Sequence, residues 1–192
     1  MTNPFPADDR SNRERMLAGE LYSADDPELA QDSRRAVELA AAYRQAFEAG
    51  DPDAAALLTQ LLGHVGEGAE VRPPLHVDYG TQISIGARCF INYGLTALDV
   101  APIVIGDDCQ IGPNVQLLTP THPLDPQQRL DKLEGAKPIT LGNNVWLGGG
   151  VIVNPGVSIG ENTVVGSGAV VTRDLPANVV AVGNPARVVR GL

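Results

Sequence analysis

The 192-residue sequence is short of aromatic residues, with three Phe, one Trp and four Tyr. It is also short of positive charge: 14 Lys and Arg face 23 Asp and Glu, for a net charge of −9. A nucleic-acid binder needs a basic footprint and, for single strands, stacking platforms, and this chain has neither. The same acidity opposes binding to an anionic membrane surface. No apolar run approaches the ~18 residues of a spanning helix, and the opening MTNPFPADDRSNRER lacks the apolar stretch of a secretory signal. Two cysteines cannot make a disulfide framework, which points to a reducing cytoplasm. The length suits one large or two small domains and is enough to bury a core, built here mostly of Val, Ile, Leu and Ala.

What the chain does have changes character near Gly66. Residues 1–66 are rich in Ala, Glu, Leu and Arg and read as a helical N-terminal region. Met16, Gly19 and Glu20 fall in a short first helix ending near Leu21 and Tyr22. Asp25 or Asp26 caps a second helix with Pro27 in its first turn. Leu29, Ser33, Ala36, Ala40, Tyr43 and Phe47 mark its apolar face, with Val37 beside it, and Gly50 ends it. Asp51-Pro52 repeats the cap-then-proline start, and a third helix follows over 54–62, with His64 at its carbonyl end.

Beyond Gly66 the period is six. Ile85, Ile91 and Ala97 are followed, after a two-residue slip, by Ile105, Ile111 and Leu117, and later by Leu141, Leu147, Val153, Ile159, Val165 and Val171. Two residues before each stands another apolar or small residue: Ile83, Cys89, Leu95, Ile103, Cys109, Val115, Ile139, Val145, Val151, Val157, Thr163 and Ala169. Each hexad reads as a short strand with two inward side chains, followed by a turn in which Gly or Asn supplies unusual backbone angles. Three hexads close one triangular coil, and no coil is stable alone, so they must stack. Twelve hexads give four coils, and residues 71–84 add part of a fifth. The expected class is mainly β, a parallel β-helix over 67–192 behind a short helical region. A β-sandwich would instead show period-two strands over longer stretches.

A solenoid has no structural need for an insertion. Residues 122–138 (HPLDPQQRLDKLEGAKP) leave the repeat, which resumes in phase, Leu141 lying 24 residues or four hexads after Leu117. A loop of that length inside a compact repeat is usually functional.

The hexads, MLAGELY at 16–22, DYG at 78–80, FIN at 90–92, TPTHP around His122, the run 143–176 and VGNPARVV at 182–189 together resemble the hexapeptide-repeat sugar O-acetyltransferases. The maltose O-acetyltransferase branch is nearest, with galactoside and nodulation acetyltransferases as relatives. The resemblance implies a left-handed coil, a homotrimer with active sites at subunit interfaces, acetyl-CoA as donor and a sugar hydroxyl as acceptor.

His122 stands where the repeat breaks, and the resemblance makes it the general base. Neutral imidazole removes a hydroxyl proton near pH 7, an effect of ~10²–10⁴ in rate. Asp26, Asp78, Asn92 and Asp99 are implied on the acceptor side, with helix capping the alternative for Asp26 and turn chemistry for Asn92 and Asp99. Val100 stands where the galactoside branch has a second acid, and Ala24 where that branch has its sugar-binding Asp, so galactoside preference is not implied. Trp146 precedes the inward Leu147 and should point outward; the resemblance sets it, with Gly148 and Gly149, along the pantetheine groove. The Gly149 N–H is placed to stabilise the oxyanion. Ser167, Thr172, Arg173, Arg187 and Arg190 match CoA-contacting positions, the arginines supplying the positive charge that an acidic chain needs for phosphates.

Cys89 and Cys109 lie on the inward track, which leaves no exposed thiol for an acetyl-cysteine route and favours direct transfer. A related β-helical class, the γ-type carbonic anhydrases, needs three clustered histidines; here no two lie within ten residues, and no metal site is expected. Arg129, Asp131, Lys132 and Glu134 in the loop read as solvated. Two other functions fit the same coil: acetyl transfer to an amine, serine or antibiotic hydroxyl, and a non-catalytic scaffold.

Overall fold

The computed structural model describes residue 5 and residues 7–192. Residues 1–4 and 6, part of the opening run read above, lie outside the described residues. The chain opens with α1 (Asn12–Leu17), started by a capping box between Ser11 and Glu14. It ends earlier than the sequence suggests: Gly19 takes φ +73°, the chain reverses, and Tyr22 enters a strand, β1 (Tyr22–Ser23). Helix α2 (Pro27–Ala49) is capped by Asp26, whose carboxylate accepts the Glu28 and Leu29 N–H groups, and ends at Gly50 in the left-handed region. It buries Leu29, Ala36 and Tyr43, a narrower stripe than expected, and leaves Val37 62% exposed. Helix α3 (Ala54–Leu61) follows, with Asp51 holding the Asp53 N–H in the turn before it.

Three coils come next. The first is β2 (His64–Val65), β3 (Glu70–Val71) and β4 (Leu75–Val77). The second is β5 (Ile83–Ile85), β6 (Phe90–Ile91) and β7 (Leu95–Leu98). The third is β8 (Ile103–Ile105), β9 (Gln110–Ile111) and β10 (Gln116–Leu118). An excursion then carries β11 (Pro120–Thr121), α4 (Pro126–Leu130) and β12 (Leu133–Ala136). The coils resume with β13 (Ile139–Leu141), β14 (Trp146–Leu147) and β15 (Ile152–Val153), then β16 (Ser158–Ile159), β17 (Val164–Val165) and β18 (Val170–Val171). A last partial coil carries β19 (Val179–Val182), on which β20 (Arg187–Gly191) folds back antiparallel.

Strands of equal rank in successive coils pair in parallel, giving three faces: β2-β5-β8-β13-β16, β3-β6-β9-β14-β17-β19 and β4-β7-β10-β15-β18. The register stacks Ile85 on Ile105 and Leu141 on Ile159, as the six-residue period requires. Both inward tracks are buried throughout, Cys89 and Cys109 included. The solenoid is longer than the hexads suggested. It starts at His64, which is an exposed strand residue and not a helix end, and it runs on through Leu175, which bridges to Ile159. The end coils were hidden because helices feed the first and a hairpin closes the last.

Corners set the spacing of coils. Arg88, Asp108, Asn144, Asn162 and Asn178 all adopt positive φ; the Arg88 side chain donates to Asp108, and in a separate run Asn144 donates to Asn162 and Asn162 to Asn178. At another corner Gly106 is obligatory: a Cβ there would lie 2.8 Å from the Asn143 backbone nitrogen.

The first coil is sealed by the helices, Ala36, Tyr43, Leu58 and Leu61 joining Val71 and Leu75 in one core. The two-residue slip has a separate consequence. It forms a widened corner, Asp99–Val100–Ala101, entirely buried, and on it sits a second small core of Met16, Tyr22, Leu29 and Val100.

Candidate active site

The inserted loop is a folded hairpin. Thr121 pairs with Gly135 and Pro120 with Ala136, and β1 adds antiparallel to the other edge of β12, setting Tyr22 opposite Glu134. Asp125 caps α4 by accepting the Gln128 N–H, and Arg129 donates to the Pro123 and Leu124 carbonyl oxygens. His122 follows β11 and opens on a cavity of about 540 Å³ lined by Ala24, Asp25, His122, Arg129, Lys132 and Glu134. Its Nδ1 faces Glu134 Oε1 at 3.8 Å, an ion-pair distance too long for a direct hydrogen bond. Glu134 Oε2 accepts the Tyr22 hydroxyl at 2.8 Å. Burial and the Glu134 carboxylate hold the Tyr22 phenol well above its ordinary range, so it stays a donor.

Glu134 was read as a solvated loop residue. Its partner Tyr22 is 112 positions away, so no local pattern reveals it. Of the two candidate acids before α2, Asp25 lines the cavity. Asp26 is engaged as the helix cap and also accepts the Asn12 side-chain amide, the helix-capping alternative read for it.

Asp99 takes the turn role that is its alternative reading. It is wholly buried, and its carboxylate accepts the backbone N–H groups of Asp78, Tyr79 and Gln82. The Gln82 side-chain amide reaches back to the Asp99 and Val100 carbonyl oxygens. Asp99 holds the turn that carries Asp78.

Asp78 itself is half-buried, with Oδ2 enclosed and without a hydrogen-bond partner among the described residues. Burial, then the charges of Asp99 and Glu134, push its carboxyl up to about 6. Between the ordinary carboxylate range and that value the folded chain binds a proton the unfolded chain does not. Stability contributed here therefore falls as pH rises through that window and stays lower above it. Asp78→Asn is expected to raise stability at pH 8 by about 1–2 kcal/mol, and to change nothing near pH 4. Thermal melts at the two pH values check this; equal stabilisation at both would exclude the charge as its cause.

The remaining residues lie elsewhere. Asn92, after β6, accepts the Tyr93 N–H with its side chain and is not among the residues lining the His122 cavity. Trp146 points outward from β14, 55% exposed, in a shallow groove with Asn144, Asn162, Val164, Asn178 and Leu192. Gly148 lies against Ser167: a Cβ on it would meet the Ser167 nitrogen at 2.6 Å. No backbone acceptor of the described chain takes the Gly149 N–H. Arg187 and Arg190 lie on β20, in the same sheet as Trp146, whereas Thr172 and Arg173 follow β18 on the neighbouring face. One chain thus brings His122, Glu134, Tyr22 and Asp25 together and leaves the anticipated CoA contacts spread over two faces. Among the described residues no helix is long and apolar enough to cross a membrane.

Triangular parallel coils interrupted by a folded loop with a histidine at its base define a hexapeptide-repeat transferase scaffold. Three family models match: the maltose acetyltransferase hexapeptide capping motif over 15–66, the hexapeptide repeat of succinyl-transferase over 82–118 and the bacterial transferase hexapeptide over 138–173. Nodulation protein L of Rhizobium meliloti (strain 1021) is 46% identical over 179 residues, covering 93% of this chain and 98% of its own. A galactoside acetyltransferase solved in complex with coenzyme A is similar at TM-score 0.89 and 38% identity, over 95% of this chain and 91% of that one. A hexapeptide-repeat acetyltransferase from Vibrio cholerae O1 biovar eltor, complexed with acetyl coenzyme A, is similar at TM-score 0.86 and 38% identity, over 95% and 99%. The chain belongs to the hexapeptide-repeat acetyltransferase family.

Proposed function

We propose that this protein moves the acetyl group of acetyl-CoA to a hydroxyl of a small sugar of the maltose or glucose type, with His122 as general base. Membership of the family makes it an acetyltransferase with acetyl-CoA as donor; the acceptor and the base are the proposal. The observation that carries it is His122 on a polar cavity with a carboxylate on its Nδ1 side. That carboxylate favours the tautomer with the proton on Nδ1 and leaves Nε2 as the acceptor. The acceptor hydroxyl gives its proton to Nε2 as its oxygen attacks the acetyl carbonyl. Glu134 balances the imidazolium that forms, and the proton passes on to the departing thiolate of CoA. The Gly149 N–H is available to the developing oxyanion. Asp25 and Lys132, which line the cavity, offer hydrogen-bonding groups of the kind that orient a polyol, and Asp78 is assigned to the same side from the neighbouring 78–82 turn. Cys89 and Cys109 are buried, which supports direct transfer over an acetyl-cysteine route.

We place the donor along Trp146, Gly148, Gly149 and Ser167, with Thr172, Arg173, Arg187 and Arg190 toward the phosphates. These groups open on two faces of one chain, so the donor site is assigned to the interface between subunits of a homotrimer. The proposed organisation is a helical region, 1–66, that caps and completes the acceptor side, and a coiled region, 67–192, that carries the transfer chemistry.

The test is thiol release from acetyl-CoA with glucose, maltose, a galactoside and chloramphenicol in turn. Sugar-stimulated release is expected; release with chloramphenicol alone would overturn the sugar assignment. Trp146 is the single tryptophan, so acetyl-CoA is expected to change its emission saturably, with the signal lost in Trp146→Phe. Binding seen by calorimetry without any emission change would remove Trp146 from the groove.

A further inference from the structure

We propose that Tyr22, contributed by the N-terminal segment, is a positioning residue that anchors Glu134 so that its free oxygen faces His122. The inference rests on His122 acting as the base. Three observations carry it. The β1–β12 register puts Tyr22 directly opposite Glu134, so the contact is built into backbone pairing. The hydroxyl donates to Glu134 Oε2 at 2.8 Å, while the other oxygen, Oε1, is the one facing His122 Nδ1. The Tyr22 ring is 1% exposed and held among Met16, Leu29 and Val100 over the widened corner.

The choice of a phenol matters. A carboxylate on a loop strand swings unless one oxygen is fixed, and a swinging acid orients an imidazole poorly. A cation would fix it but would also cancel the charge the imidazolium needs. A phenol supplies a charge-assisted hydrogen bond and leaves the negative charge in place. Consistent with this, among the described residues no Lys or Arg lies within ion-pair distance of Glu134, and Arg129 donates instead to two loop carbonyl oxygens. The other charged groups around this cavity are Asp25 and Lys132, with Asp78 acting on Glu134 from the 78–82 turn. The N-terminal segment thereby completes the base as well as sealing the first coil.

The experiment compares wild type, His122→Ala, Tyr22→Phe, Glu134→Gln and the Tyr22→Phe/Glu134→Gln pair, each with saturating acetyl-CoA and the best sugar. Phe keeps the buried ring, and melting curves confirm the fold. Tyr22→Phe is expected to lower kcat about ten- to a hundredfold, with both KM values within about twofold of wild type. Glu134→Gln is expected to match it, and the double variant to be no slower than Glu134→Gln alone, because both remove one device. Wild-type kcat in Tyr22→Phe, or a double variant showing the product of the single losses, overturns the inference. If His122→Ala is inactive while Tyr22→Phe is unchanged, only this inference fails. Full activity in His122→Ala overturns the reading beneath it.

Discussion

Replacing His122 by alanine is expected to lower kcat by about 10²–10⁴-fold while acetyl-CoA still binds. The histidine is 61% exposed at its side chain and braces neither coil, so the substitution leaves the core untouched. Thiol release measures the rate, and Trp146 emission or calorimetry measures donor binding. The acceptor KM should move little, because Asp25, Asp78 and Lys132 remain. A variant as fast as wild type would mean that the acceptor hydroxyl loses its proton to another group, and Glu134 would then have no imidazolium to balance.

Asp99→Ala is expected to be the most damaging polar substitution for the fold. It leaves the backbone N–H groups of Asp78, Tyr79 and Gln82 without their acceptor in a buried corner. At ~1 kcal/mol each, the low end for orphaned donors, the loss is about 3 kcal/mol. For a chain of this size that is a fall in Tm of roughly 6–12 °C. Calorimetry checks it, with Asp99→Asn as the intermediate case, since one side-chain oxygen survives. A fall below about 2 °C would show that water replaces the carboxylate and that Asp99 does not hold the turn. The same variant should raise the acceptor KM, because the turn it releases carries Asp78.

These two residues show where sequence reading succeeds and where it stops. The six-residue period forces twelve inward pairs, and every one is buried. Trp146 points outward as its neighbour Leu147 requires. His122 stands out in the sequence because it interrupts the period, and it lines the cavity. Asp99 was found for the same reason, but a break in period does not tell which way a side chain turns. Its direction depends on three N–H groups arriving from the coil below. Glu134 and Tyr22 were not paired because antiparallel strands 112 residues apart leave no local trace. The hexads stop short of the solenoid, which takes in His64–Val65 before them and Val179–Val182 after them. There the repeat borrows inner contacts from α2 and α3 at one end and a strand partner, β20, at the other.

Those borrowed contacts have one further consequence. Every interior coil offers a ring of N–H and C=O groups to the coil above and below, and a bare terminal coil would offer the same ring to another molecule. The helices cover one end, and the β19–β20 hairpin turns the other back on itself with its strand running the wrong way for continuation. Without that reversal, the outer edge of β19 would stay open to pairing with another chain. The five residues Arg187–Gly191 thus stop, on that face, an architecture with no intrinsic end.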